Sequence, residues 1–347
     1  MSSVALVSGV RPVSCVRIVA LLVASLLTTP SLADGPSCKG RNVLDDFRAV
    51  DPATYAGIRA AADATVNARA VLWKVEDPRL PHRPPSYLFG TIHLADARVL
   101  ALSNATEKAL ASVRRIALEV DDLSPQRVGA AMATVSDMIL LPDNRRLGSL
   151  LSDAEIRRAQ GVLSEAGLSG EVASRVRPWV AQMLIAVSAC ERRRVAGGRL
   201  PLDAALQKRA EADGLSVVGL ETIEMQFQSL ASVPEADSVA ILKSGIKSLD
   251  RADDMMETMV QLYLRRDLGA IWPLQLAIAK QQGIESSAFD SFEKHLLTAR
   301  NARMRDRALS HLAYGGIFVA VGALHLPGRN GLVELIRDAG YVVTAIE

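Results

Sequence analysis

The chain has 347 residues, 49% of them hydrophobic and 22% charged, a composition that suits a globular fold and excludes a disordered or fibrous one. Aromatic residues make up 4%, so the core must come from Ala, Leu, Val and Ile. The formal net charge of +2 disappears once residues 1–33 are set aside, since they carry Arg11 and Arg17 and no acid. A neutral remainder has no electrostatic reason to seek nucleic acid or an anionic membrane.

Those first residues read as a targeting segment. Arg11 and Arg17 precede an apolar run from Ile18 to Leu27, and the segment closes on Ser31-Leu32-Ala33. Basic flank, short apolar run and small-x-Ala ending are the pattern of a secretory signal peptide. The run falls short of the roughly 20 residues needed to span a bilayer. Residues 1–33 are therefore expected to be removed after Ala33, against the alternative of an uncleaved anchor. The preceding Gly35-Pro36-Ser37 is a poor context for a lipid anchor on Cys38. Residues 34–347 are then expected as one domain, periplasmic or secreted, with no stable membrane anchor. Cys15 leaves with the signal, so Cys38 and Cys190 remain as an even pair in an oxidising compartment. A disulfide between them is expected; two independent thiols, with Cys190 buried in a helix, is the alternative.

Strand signals then come in chain order at Val71–Val75 and Tyr87–Ile92, joined across the proline-rich stretch Asp77–Pro85. A helix opens at Asn104, with Glu107 at the capping-box spacing, runs to about Arg115, and delivers the chain to a strand at Ile116–Val120. From about 124 to 298 the pattern is helical, as in Val180, Met183, Leu184 and Val187, interrupted by a short strand signal at Ser216–Leu220. The chain closes with strands at Gly316–Leu324 and Tyr341–Ile346 around a helix at Gly331–Ala339. The fold class expected is α/β: a mixed, largely parallel central sheet built from two strand–helix–strand units at the chain ends, with a long helical insertion at about 124–298.

The motifs of common hydrolases and nucleotide binders are absent: there is no His-Glu-x-x-His, Gly-x-Ser-x-Gly, Walker loop or Gly-x-Gly-x-x-Gly. The chain has five histidines, and two of them repeat one pattern, Gly90-x-x-His93 and Gly322-x-x-His325. Each lies where a predicted buried strand ends. Glu119 and Glu221 occupy equivalent strand ends. In open, largely parallel sheets ligands bind beyond the carboxyl ends of the strands, so topology alone would gather these four groups. Two imidazoles and a carboxylate suit Mn, Co, Zn or Fe and leave positions open for water. Taken singly, a strand-end His or Glu is more often a solvated or satisfied polar residue than a ligand. Glu221 is expected to cap the helix that follows it, with a fourth ligand or general base as the alternative. His82, His295 and His311 are expected to carry no chemistry, and Trp179 after Pro178 is expected to be a core anchor at a helix start.

The stretch from Pro85 to His93 resembles the first hallmark of the TraB/GumN (Tiki-like) family, and Val319–Gly328 resembles its last. Leu118-Glu119-Val120-Asp121, Pro178-Trp179, Asp203, Gly219–Thr222 with Gln226, and Arg300-Asn301 with Met304 resemble further family positions. Cys38-Lys39-Gly40 resembles the amino-terminal element of the secreted bacterial branch. The resemblance implies a fold related to erythromycin esterase and ChaN-like proteins. It also implies a site in which His93, His325 and Glu119 hold a divalent metal ion, with Glu119 and Arg300 as catalytic groups. Asn301 is a possible further member, and the motif glycines are Gly90 and Gly322. Two departures stand out: Ala299 replaces the acidic residue that often precedes the Arg-Asn pair, and Leu324 a smaller residue.

The function expected is that of a metal-dependent hydrolase of the peptidase type, in which water activated by the ion attacks a carbonyl of a peptide or other small substrate. The alternative is a non-catalytic periplasmic module that binds a peptide or glycan; a membrane-tethered regulator is disfavoured by the short apolar run.

Overall fold

The computed structural model describes residues 38 and 40–347. The expected signal segment, with Arg11, Arg17 and Ala33, lies outside the described residues. Within them, no helix is long and apolar enough to cross a membrane.

Every strand signal forms a strand: β1 (Leu72–Glu76), β2 (Ser86–Thr91), β3 (Arg115–Leu118), β4 (Ser216–Gly219), β5 (Ile317–Gly322) and β6 (Val342–Ala345). They make one mixed sheet in the order β4-β3-β5-β2-β1-β6. β1 and β2 form an antiparallel hairpin across the proline-rich stretch, and β6 adds antiparallel to β1. The other three pairings, β2 with β5, β5 with β3 and β3 with β4, are parallel.

The α/β class and the two strand–helix–strand units are as expected, but the units interlock. β5, from the end of the chain, pairs between β2 and β3. Its sequence suits the centre: Ile317, Phe318, Val319, Ala320 and Val321 are all buried, the continuous apolar run of a parallel strand covered on both faces. Alternation along the strand divides it between two cores. Phe318 and Ala320 join Leu72, Phe89, Ile116 and Leu118 on one face. Ile317, Val319 and Val321 join Trp73, Leu88 and Ala117 on the other. Each buried side chain of this size contributes about 1.5–3 kcal/mol, so the middle of the sheet is strongly held.

Helices around the sheet and its strand ends include α1 (Asn104–Ala111), α2 (Leu202–Ala212), α3 (Ile223–Ala231), α4 (Ala252–Leu264), α5 (Ala299–Leu312) and α6 (Leu332–Asp338). Leu110 of α1, Leu206 of α2 and Val260 of α4 pack on the first face; Met304 and Ala308 of α5 and Val333 of α6 pack on the second. α1 differs slightly from expectation. Ser103, not Asn104, accepts the capping bond from Thr106 N, and the helix ends at Ala111 because Arg115 already begins β3. Away from the sheet, the helices Asp153–Glu165, Pro178–Ile185 and Glu235–Lys247 share a core of their own around Leu163, Ile185 and Leu242. Trp179 starts the middle helix, is buried, and donates Nε1 to Met138 O at 3.0 Å, the anchor expected of it.

Cys38 and Cys190 are joined by a disulfide, with their Cα atoms 5.7 Å apart. The bond ties the start of the described chain to the helix Ala189–Ala196.

Candidate functional site

Register decides where the histidines go. Thr91 and Gly322 end β2 and β5 as direct partners. The chain leaves β2 through Ile92 to His93, and leaves β5 through a single 3-10 turn, Ala323–His325. Gly90 lets this turn cross close by: a Cβ there would stand 3.0 Å from Ala323 Cα and 2.8 Å from Leu326 Cδ1. On the other flank of β5, Leu118 pairs with Ala320, so Glu119 emerges beside Gly322. The β3–β4 pairing continues one step past both strands, with Glu221 N donating to Glu119 O at 2.7 Å. Four adjacent parallel strands thus bring His93, His325, Glu119 and Glu221 to one edge.

Both histidines are held by their Nδ1 atoms. His325, buried, lies 2.6 Å from Asn301 Oδ1. The Asn301 amide is oriented in turn by donating Nδ2 to Asn330 O at 2.7 Å, so its oxygen faces the ring and His325 donates from Nδ1. His93 Nδ1 lies 2.6 Å from Asp203 Oδ2, and Thr91 Oγ1 donates to the other oxygen of that carboxylate at 2.5 Å. Tyr263 of α4 donates its hydroxyl to Gly90 O at 2.8 Å. Each ring therefore keeps Nε2 for the site.

Glu119 is surrounded. Its Oε1 accepts from Gly322 N at 2.7 Å and lies 3.7 Å from His325 Nε2. Its Oε2 accepts from Gln226 Nε2 at 2.9 Å and from an Arg300 terminal nitrogen at 2.6 Å. Arg300 sits in the first turn of α5, directly after the π-helical turn Lys294–Thr298; such widened turns re-aim side chains and recur at functional sites. Its Nε donates to Glu221 Oε2 at 2.8 Å, and Arg303, one turn on, reaches Glu221 Oε1 at 3.3 Å. Glu221 was expected to cap a helix. Instead Thr222 caps α3, accepting from Met225 N, while Glu221, its side chain fully buried, anchors the two arginines. A buried carboxylate must be paired, and this one is.

The charges follow from these contacts. Burial pushes the Glu119 carboxyl up, but His325, Arg300 and His93 outweigh it and bring it down to about 2. Burial pushes His325 down to about 4 against the pull of Glu119, so its ring is neutral at pH 7. The Asp203 charge lifts His93 to about 9 against desolvation; its side chain is 64% exposed, so solvent screens part of that attraction.

The donor set fits a divalent ion of the N/O-binding kind. A Cβ on Gly322 would stand 3.1 Å from Glu119 Oε1, 3.4 Å from His325 Cδ2 and 3.7 Å from His93 Nε2. All three groups therefore border one small space, which the missing side chain leaves open. Among the described residues no three His, Cys, Asp or Glu groups stand close enough together to grip an ion as they are. Ligands at 2.0–2.2 Å around a tetrahedral ion lie about 3.4 Å apart, so the 3.7 Å between His325 and Glu119 is a few tenths wide.

The structure thus brings together His93, His325, Glu119, Arg300, Asn301 and Glu221, with Gly90 and Gly322 shaping the space between them. Sequence reasoning gave no role to Thr91 or Tyr263 and none to Asp203 or Gln226 beyond a likeness of position; the latter two lie on helices of the insertion. His82 is exposed, and His295 and His311 are half-buried on helices elsewhere.

A mostly helical α/β protein with an ionisable centre at the carboxyl edge of parallel strands is the class that fold and site define. The chain belongs to the TraB/PrgY/gumN family, whose model matches residues 71–345. It is 23% identical over 265 residues to the uncharacterized protein YbaP of Shigella flexneri, covering 76% of this chain and 92% of that one; YbaP of Escherichia coli K12 matches to the same extent. It is 25% identical over 318 residues to the metalloprotease TIKI2 of Danio rerio, covering 78% of this chain but 60% of the relative. No solved structure matches the chain significantly.

Proposed function

We propose that the protein is a metal-dependent hydrolase of the peptidase type, acting outside the cytoplasm on a peptide or another small carbonyl substrate. The observation that carries this is the common space bordered by Glu119 Oε1, His325 and His93 Nε2 at Gly322. His93, His325 and Glu119 would hold the ion, and each imidazole is backed through Nδ1 by an acceptor, the arrangement that orients metal-ligating histidines. A divalent ion supplies Lewis acidity and makes water a nucleophile near neutral pH.

The chain's own residues do the rest. Glu119, ionised, turns Oε1 to the shared space, where it would either hold the ion or accept a proton from water, while Gln226 and Arg300 fix Oε2. Arg300 brings fixed positive charge beside the reacting position, where it opposes negative charge building on a substrate oxygen. The name of the TIKI2 relative supports the peptidase reading. The disulfide supports an oxidising compartment, where such bonds persist.

A second reading rests on one observation. Glu119 already accepts bonds from Arg300, Gln226 and Gly322, so its charge is matched with no ion present. A module that captures a peptide or glycan without turnover would need nothing more. Elemental analysis separates the two, comparing the protein purified without chelator with a His93→Ala/His325→Ala variant. About one ion per chain, absent from a variant that remains folded, is expected. No ion in either protein after metal is added back would leave the binding module as the function.

A further inference from the structure

We propose that Asp203 is a positioning residue that decides which nitrogen of His93 faces the site. The proposal rests on the metal-centre reading for its effect on affinity, but not for its effect on the ring itself.

An exposed histidine has two problems as a ligand. It samples several rotamers, and in water its neutral ring prefers to carry the proton on Nε2. That preference would place a proton on the nitrogen that must donate a lone pair. His325 escapes both problems through burial and Asn301. His93 is the exposed member of the pair, and among the described residues its one bonded side-chain partner is Asp203. A carboxylate can only accept when ionised, so the ring must present N–H from Nδ1. In the neutral ring Nε2 is then the unprotonated nitrogen, turned towards Gly322, where it would stand 3.7 Å from a Cβ.

The carboxylate is itself fixed. Thr91, two residues before His93, donates Oγ1 to Asp203 Oδ1, which turns Oδ2 to the ring. Asp203 lies in the first turn of α2, whose opening residue, buried Leu202, donates its N–H to Leu94 O at 3.1 Å. The helix is thus pinned by its backbone to the residue after His93. Strand end, ring and insertion helix form a closed loop of contacts around one imidazole. Without Asp203 the ring loses its partner while the strand, the helix and the Leu202–Leu94 bond remain.

The experiment compares wild type, Asp203→Ala and Asp203→Asn. Long-range ¹⁵N–¹H spectra read the His93 tautomer in metal-free protein at a pH where the ring is neutral, and titration calorimetry with zinc alone reads affinity. Wild type is expected to show the proton on Nδ1, and Asp203→Ala a shift to the Nε2–H form with zinc binding weakened about 10–100-fold. Asp203→Asn, whose amide oxygen still accepts, is expected to recover the tautomer and part of the affinity. An unchanged tautomer in Asp203→Ala would overturn the proposal, as would zinc binding within about twofold of wild type. If wild type itself binds no zinc, the metal reading fails, and the tautomer shift still decides the role of Asp203. Thermal unfolding of each variant confirms that the fold persists, and an equal loss in Asp203→Asn and Asp203→Ala would assign the residue a merely structural part.

Discussion

Thr91 and Gly322 are direct partners in the parallel pairing of β2 with β5, and this one register point sets His93 beside His325. A slip of one residue would turn every side chain of the strand to the other face, so the site and both cores depend on the same alignment. The two motif glycines then do different work, which substitution can separate. Gly322 has φ −51°, a value alanine adopts freely, so Gly322→Ala should leave the fold intact. Its methyl would stand 3.1 Å from Glu119 Oε1 and intrude on the shared space. Metal affinity is expected to fall at least about tenfold with little change in unfolding temperature. Gly90→Ala would push against Ala323 and Leu326 and is expected to cost about 1–3 kcal/mol of stability, as overpacking does. Calorimetry and urea unfolding of the two variants check both statements.

Arg300 joins Glu119 and Glu221, which are 10% and 0% exposed in their side chains. Removing it leaves two buried carboxylates short of a partner, with Arg303 at 3.3 Å as the remaining contact to Glu221. Arg300→Leu should therefore destabilise the protein by about 3–5 kcal/mol. Arg300→Lys keeps the charge but cannot reach both carboxylates with a planar fork, and should lose less. A loss below about 1 kcal/mol for Arg300→Leu in urea unfolding would mean that the buried pairs do not hold the site together.

Acid should weaken the metal-free protein in a defined window. His325 is depressed to about 4 in the folded state, against an ordinary value of about 6.5. Between those values the unfolded chain binds the proton and the native chain does not, so stability falls as pH drops from about 6.5 to 4. Glu119, lowered to about 2, adds to the loss below about pH 4.5, since its contribution disappears as the carboxylate is protonated. His93, raised to about 9, acts oppositely: its contribution is complete below pH 6.5 and lost as pH rises through 9. Because that ring is exposed, its share is the smallest. Denaturation across pH 4–7 should show a steady acid loss on the order of a few kcal/mol, flattened in His325→Gln.

The Cys38–Cys190 bond closes a separation of 152 residues. Chain-entropy arguments give about 4–5 kcal/mol for a loop of this size. Cys38→Ser/Cys190→Ser should unfold at correspondingly lower urea, and reductant should move wild type to the same midpoint while leaving the variant unmoved.

Much of this was legible in the residues. The six strand runs are short, apolar and bounded by turn residues, and such local signals survive folding. The histidines and Glu119 could be placed on one edge because they follow strands that must run parallel. Sheet order could not be read: that β5 enters between β2 and β3 depends on pairings between residues more than 200 apart, such as Leu88 with Val319. The partners Asp203 and Gln226 were hidden for a similar reason. Each is an ordinary polar residue on a helix, and helical periodicity says which face is buried, not which strand end it meets. Glu221 was read as a helix cap from its position; Thr222 already does that, and only the tertiary contact with Arg300 reveals the carboxylate's role.

The interlocked order of strands has a consequence for how the molecule comes into being. β5 begins at Ile317 of a 347-residue chain yet forms the middle of the sheet. A chain emerging amino-terminus first would present the β1–β2 hairpin and the β3–β4 pair as two unjoined halves, each with a raw apolar edge. Cys38 and Cys190 could meet by then, but nothing could bridge the halves until β5 arrived. Loss of the chain from Ile317 onward would therefore do more than trim the sheet; it would split it through the site, leaving His93 and Glu119 on separate halves of the fold.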